Sequence, residues 1–281
     1  MLAHETTPAK GGAMAEGAPK ADLTGWTDYR PHALDRLRHP CLERGDGPGV
    51  IVLHEFPGIT PEVLAFSNHL VAKDFTVVMP SFFGTPGTRP TLGETFAIGV
   101  SLCVSSEFHA FAFNKQRPVT TFLHALADDL AARTTGRGVG VIGMCFTGGF
   151  ALATTVASDR VRATVVSQPS IPLPIGAGRS NPGISKAELD RLARRTCEDG
   201  PCVLGLRFSR DPISPAGRFK TLEDRLKGAF RAFEIESGRD RKPGVRRCAH
   251  SVLTTELREN PPNEAYQKRE QVVEFLTKRL T

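Results

Sequence analysis

Residues 138–149 read GVGVIGMCFTGG and run directly into FALATTVA, residues 150–157. The first half is a β-branched apolar run that predicts a strand over 138–144. The second half carries helix formers and predicts a helix over 148–158. Between them stand Gly143, Met144, Cys145, Phe146 and Thr147. A strand that turns sharply into a helix around a Ser or Cys, with small residues on either side to let the chains cross closely, reads as a nucleophile elbow. The thiol of Cys145 would then sit at a helix N-terminus, where the dipole favours thiolate, the reactive form. The same letters also fit a tight βα turn around a buried structural Cys. The residues elsewhere in the chain decide between the two.

Outward from the elbow, the chain repeats one theme. The run GVIVL at 49–53 predicts a strand, 61–73 a helix and 75–79 the next strand, which together make a βαβ unit. Its strands are apolar on both faces, as in a parallel sheet covered by helices. Further on, the pattern predicts helix 118–133, strand 163–167, strand 202–208, helix 219–227, strand 232–236 and a closing helix over 264–280. Alternation of this kind predicts a single α/β domain over 23–281, with a mostly parallel, doubly wound sheet flanked by helices. Functional groups are expected at the carboxyl ends of its strands. Residues 1–22, rich in Ala, Gly and Pro, read as a flexible leader. Two stretches interrupt the alternation, a Phe-rich one at 91–114 and another at 170–200, and both read as insertions that serve as lids, pocket walls or surface decoration.

Composition narrows the function classes. The chain has 281 residues, 40% hydrophobic and 23% charged, which is ordinary for a globular protein. No apolar run approaches the roughly 20 residues that span a membrane. The leader lacks the apolar core of a signal peptide, so the expected location is cytoplasmic. A net charge of +6 and a pI of about 9.1 come from positives spread along the chain and mixed with acids. The densest basic patch, GRDRKPGVRR at 238–247, is broken by Gly and Pro and reads as a solvated loop, so no nucleic-acid partner is expected. The six cysteines are scattered without CxxC pairs or His neighbours at metal-ligand spacing. Neither metal nor cofactor is expected, and the thiols are expected reduced, with Cys197 and Cys202 able to close a local loop if oxidised.

A Cys nucleophile needs a base for its proton and a third group to orient that base. His250, in RRCAHSVLT, is the one His after residue 124. Between the two, FSRDPISP places Asp211 directly after the predicted strand at 202–208. Each of these residues has an ordinary reading alone, Asp211 as a turn or cap and His250 as a surface side chain. Together they give the order nucleophile, acid, His, each on a loop after a predicted strand, which is the order used by α/β-hydrolases. HEFPG at 54–58 follows the first long strand, where that fold places one oxyanion-hole N–H. The other comes from the residue after the nucleophile, so Phe56 and Phe146 are the expected backbone donors. Glu55 stands at the end of a predicted buried strand, beside the expected pocket. It is read either as part of the site or as a structural carboxylate satisfied by backbone N–H groups.

These residues resemble the dienelactone hydrolase family, α/β-hydrolases with a Cys, Asp, His triad. The resemblance runs from Gly49 to the C-terminus. It rests on VIVLHEFPGITPEVLAFSNHLVAKDFTVVMPSFFG, VGVIGMCFTGG, SRDPISP and AHSVLT. It implies that Cys145 attacks an ester or lactone carbonyl, that His250 relays protons, that Asp211 orients His250, and that Glu55 contacts the resting thiol and helps generate thiolate. Two departures stand out. Where the family's founding members carry substrate-binding arginines, this chain has Thr85 and Thr254, which removes bidentate carboxylate recognition from the expected pocket. Arg89, Arg246 and Arg258 are the candidate substitutes. The elbow also has one residue more before its Gly pair, with Thr147 at the close-packing position. The expectation is a metal-independent carboxylic ester hydrolase acting on a small ester or lactone, as a monomer or homodimer. The alternative is a non-catalytic α/β-hydrolase-fold protein that binds a ligand or partner.

Overall fold

Strands that are apolar on both faces have to be covered on both, and this requirement organises the molecule. The structure, a computed structural model, describes residues 22–29, 39–104, 118–195, 202–237, 248–259 and 263–281. In chain order the elements are β1 (Thr27–Tyr29), β2 (Cys41–Arg44), β3 (Gly49–Leu53), α1 (Pro61–Val71), β4 (Thr76–Pro80), α2 (Leu92–Val104) and α3 (Pro118–Arg133). They continue with β5 (Val139–Met144), α4 (Gly148–Ala157), β6 (Val161–Ser167), α5 (Lys186–Ala193), β7 (Val203–Phe208), α6 (Ala216–Leu226), β8 (Phe230–Ile235) and α7 (Glu264–Leu280). The strands form one sheet in the order β1-β2-β4-β3-β5-β6-β7-β8. From β4 to β8 every pairing is parallel, while β2 pairs antiparallel with both β1 and β4.

Alternate strand residues point to opposite faces. Val50, Val52, Ile142, Met144, Val165, Leu204 and Leu206 pack with Val63, Leu64 and Leu70 of α1 and Val272, Leu276 and Leu280 of α7. Ile51, Leu53, Val139, Val141, Val166 and Val203 pack on the other face, against Phe122, Leu126 and Leu130 of α3, Leu152 of α4, Leu189 of α5 and Phe219 and Leu222 of α6. Each large buried side chain of this kind stabilises the fold by about 1.5–3 kcal/mol. α1 starts where it does because Thr60 caps it, accepting from the Val63 N–H, with Pro61 in its first turn.

The doubly wound α/β sheet is as the sequence predicts. The leader up to residue 21 and the basic patch at 238–247 lie outside the described residues. Of the two insertions, 91–104 includes α2 and 170–195 includes α5, while 105–114 and 196–200 are outside. β1 and β2 extend the sheet beyond the elements the sequence pattern marked. Cys202, at the head of β7, is disulfide-bonded, a correction to the expectation of reduced thiols, and its candidate partner Cys197 lies outside the described residues. Cys41, Cys145 and Cys248 are free. No described helix is long and apolar enough to cross a membrane.

What positions a site is the reversal of strand order at β3. The chain leaves β3 for β4 on one side and returns to β5 on the other, which makes the carboxyl ends of β3 and β5 the switch point where sheets of this kind bind ligands. Register aligns these ends: Leu53 stands opposite Gly143, Met144 opposite Ser167, and Ser167 opposite Leu206.

Candidate active site

Cys145 follows β5 and opens a 3-10 turn, Cys145–Thr147, that leads into α4. Its φ is +57°, a left-handed conformation costly for a residue with a Cβ. Close packing holds it there. A Cβ on Gly143 would lie 2.5 Å from the Thr147 carbonyl oxygen and 2.8 Å from Ala151 Cβ, and one on Gly148 would lie 2.8 Å from Pro169 Cβ. Both glycines are therefore required by close approach. Thr147, where the family usually has Gly, turns its buried hydroxyl to use. Oγ1 accepts from the Met144 N–H at 2.8 Å and lies 3.0 Å from the Leu53 and 2.8 Å from the Met144 carbonyl oxygens. The one hydroxyl thus ties the elbow to the end of β3.

Asp211 lies on the loop after β7 and is buried. Its Oδ1 accepts from the N–H groups of Ile213 at 3.0 Å and Ser214 at 3.1 Å, which fixes its own loop. Oδ2 then faces His250 Nδ1 at 2.6 Å. Arg207, buried in β7, braces this loop from beneath, donating to the carbonyls of Ser214 and Ser209 at 3.0 Å. Burial opposes a charge on His250, but the bond to Asp211 and the neighbouring Cys145 sulfur outweigh it and push the imidazole up to about 10. His250 Nε2 is buried, no nitrogen or oxygen of the described residues bonds it, and the Cys145 sulfur acts on the ring.

Glu55 follows β3 and is buried. Its Oε2 accepts from Ser251 Oγ at 2.8 Å and Gln168 Nε2 at 3.1 Å, and its Oε1 accepts from Thr254 Oγ1. Gln168, at the end of β6 with φ +38°, also takes the Val252 N–H on its Oε1 at 3.3 Å. Two side chains thus fasten the segment that carries His250 to the ends of β3 and β6. Burial pushes the Glu55 carboxyl above its ordinary value, and its three side-chain donors and the His250 charge oppose that shift. Glu55 is occupied by the His250 segment, and Cys145 Sγ lies 3.2 Å from Ser170 Oγ.

Thr254, expected in the substrate pocket, spends its hydroxyl on Glu55. Thr85 is exposed and lies in a turn, where its carbonyl accepts from Thr88. Of the substitute arginines, Arg89 pairs with Glu62 of α1, and Arg258 donates to the carbonyls of Thr255 and Leu257. Arg246 lies outside the described residues. Phe146 follows Cys145 in the turn and Phe56 follows Glu55. The Phe83 ring sits between theirs, at 5.3 Å from Phe146 and 6.2 Å from Phe56. The Phe56–Pro57 peptide is cis. His54 anchors this loop. Its Nε2 accepts from the Phe82 N–H at 3.0 Å, which leaves the proton on Nδ1 to donate to the Glu55 carbonyl at 2.9 Å. Among the described residues no group of three His, Cys, Asp or Glu side chains is placed to hold a metal ion.

The model of the dienelactone hydrolase family matches residues 40–240, most of the chain, from β2 through the elbow and Asp211. The chain belongs to the dienelactone hydrolase family. Solved structures with this fold include a dienelactone hydrolase described as putative from Klebsiella pneumoniae, at 16% identity over 85% of this chain and 92% of that one, with a TM-score of 0.56. Another is P91 from metagenomic libraries, described as a dienelactone hydrolase-like promiscuous phosphotriesterase, at 17% identity over 91% and 98%, TM-score 0.57. A thermostable esterase aligns at 12% identity over 92% of this chain and 64% of its own, TM-score 0.57. No curated protein matches significantly. At these identities the solved structures establish the fold, and the family match establishes a dienelactone hydrolase-like member of the α/β-hydrolase superfamily.

The sequence pattern does not mark Gln168, Ser170, Ser251 and Arg218, which gather with Arg207 at this candidate site. Arg207 did leave a signal, a charge inside the apolar run VLGLRF. The others lie in turn-forming or amphipathic stretches where nothing local marks them.

Proposed function

We propose that this dienelactone hydrolase-family chain hydrolyses a small carboxylic ester or lactone through Cys145. The observation that carries the reading is the short Asp211–His250 contact, which fixes one ring nitrogen and leaves the other, buried, for the Cys145 sulfur. With the imidazole raised to about 10, His250 carries a proton at neutral pH, and the attacking form of the sulfur is the thiolate. Sγ adds to the carbonyl carbon, and the oxyanion forms within reach of the Phe56 and Phe146 N–H groups. His250 gives its proton to the leaving oxygen as the carbon–oxygen bond breaks, which leaves a thioester. The now neutral ring takes a proton from water, the resulting hydroxide adds to the thioester, and the carbon–sulfur bond breaks to release acid and regenerate the thiolate.

Thr85, with Thr254 committed to Glu55, supports a substrate bound without a guanidinium on its carboxylate. The test is direct. Short-chain aryl esters should be turned over by the native chain and not by Cys145→Ala, and intact-mass measurement should catch an acyl group on Cys145 in the first. Full activity in Cys145→Ala ends the reading.

A further inference from the structure

We propose that Ser170 is a positioning residue for the Cys145 thiol and that Arg218 holds it in place, an assignment that rests on reading Cys145 as the nucleophile. Ser170 is bonded to one residue twice: its N–H donates to the Cys145 carbonyl at 3.0 Å, and its Oγ lies 3.2 Å from Cys145 Sγ. A thiolate can only accept, so in the attacking form the hydroxyl donates to the sulfur and fixes where it sits. The same sulfur also acts on His250, so Ser170 and the imidazole hold it between them. An arriving carbonyl then meets a sulfur that Ser170 has aimed.

The loop that carries Ser170 has no regular structure of its own to hold it. Arg218, fully buried on α6, supplies the anchor. Its Nη1 donates to the Pro169 carbonyl, and its Nη2 donates to the carbonyls of Pro172 and, at 3.2 Å, Gly178. One planar fork thus grips three carbonyls on both flanks of Ser170, a geometry that a lysine cannot reproduce. The charges that face the sulfur are His250, with Asp211 behind it, and Arg218 itself.

The experiment uses the full chain at neutral pH and reads two properties that need no turnover: the rate of iodoacetamide labelling at Cys145 and the ultraviolet absorbance of its thiolate. Ser170→Ala should label about tenfold more slowly, the scale of one hydrogen bond to a charged group, and lose thiolate absorbance. Ser170→Thr, which keeps the hydroxyl, should restore most of both. Arg218→Lys should resemble Ser170→Ala, and the double variant should lose little more, because the two act in series. Native labelling in Ser170→Ala overturns the proposal, as does Ser170→Thr labelling as slowly as Ser170→Ala while unfolding at the native urea midpoint. A chain that labels as expected but cleaves no ester ends the esterase reading and leaves the role of Ser170 standing. Ester cleavage together with native labelling in Ser170→Ala does the reverse.

Discussion

A buried imidazole ordinarily gives up its proton, and His250 keeps its own because Asp211 stands against Nδ1 and the sulfur of Cys145 stands near the ring. In the proposed cycle the protonated ring is the acid that releases the leaving group, so activity is lost as pH rises toward about 10. Asp211→Asn removes the larger of the stabilising contacts. It should bring the alkaline limb of kcat/KM down toward the ordinary imidazole value of 6.5 and lower neutral-pH activity by about 10⁴-fold. The measurement is a pH profile with an aryl ester, and a limb that stays where it is in the native chain contradicts the assignment. Cys145, Asp211 and His250 were legible in the sequence because each directly follows an apolar strand or a loop after one. Gln168 and Ser170 were not. In SQPS they look like turn formers, and their roles arise from β6 lying beside β5, a neighbour relation that no local pattern encodes. Glu55 was legible as a buried carboxylate, but its partners were not, because Ser251 and Thr254 reach it from the other end of the chain.

At the level of elements, the elbow rests on how closely α4 crosses β5. A methyl at Gly143 would press on the Thr147 carbonyl and on Ala151, and neither is the free end of a flexible side chain. Gly143→Ala should therefore cost about 1–3 kcal/mol in urea unfolding and abolish ester turnover, because relief comes only by shifting the turn that presents Cys145. A native midpoint with native activity would show that the crossing tolerates the methyl. The alternation of strands and helices was readable, and its errors have local causes. β6 begins at Val161 instead of 163 because Arg162 points to solvent and masks the run without breaking its pairing. α6 begins at Ala216 instead of 219 because Pro215 serves as its cap and hides the start. β1 and β2, TDY and CLER, carry no β-branched run, and they are strands because the antiparallel edge beyond β4 pairs with them.

Over the whole molecule, stability follows pH through His54, which joins the loops after β3 and β4 and is pushed down to about 4 by burial. The folded state holds this ring neutral while the unfolded chain protonates near 6.5. Its contribution is thus complete above 6.5 and is lost as pH falls through about 4, a loss of about 3 kcal/mol. Folding free energies of the native chain and His54→Gln, compared between these limits, should show a shallower acid decline in the variant. Equal slopes would mean that His54 does not carry the linkage. The same sheet also imposes an order of events on biosynthesis. Glu55 meets Ser251 and Thr254 across 196 and 199 residues, so these contacts wait until residues 251–254 have been made, a contact pattern that folds slowly. On the ribosome Cys145 emerges long before its histidine. The nascent protein therefore carries the Cys145 sulfur while the side chain that meets Asp211 is still unmade.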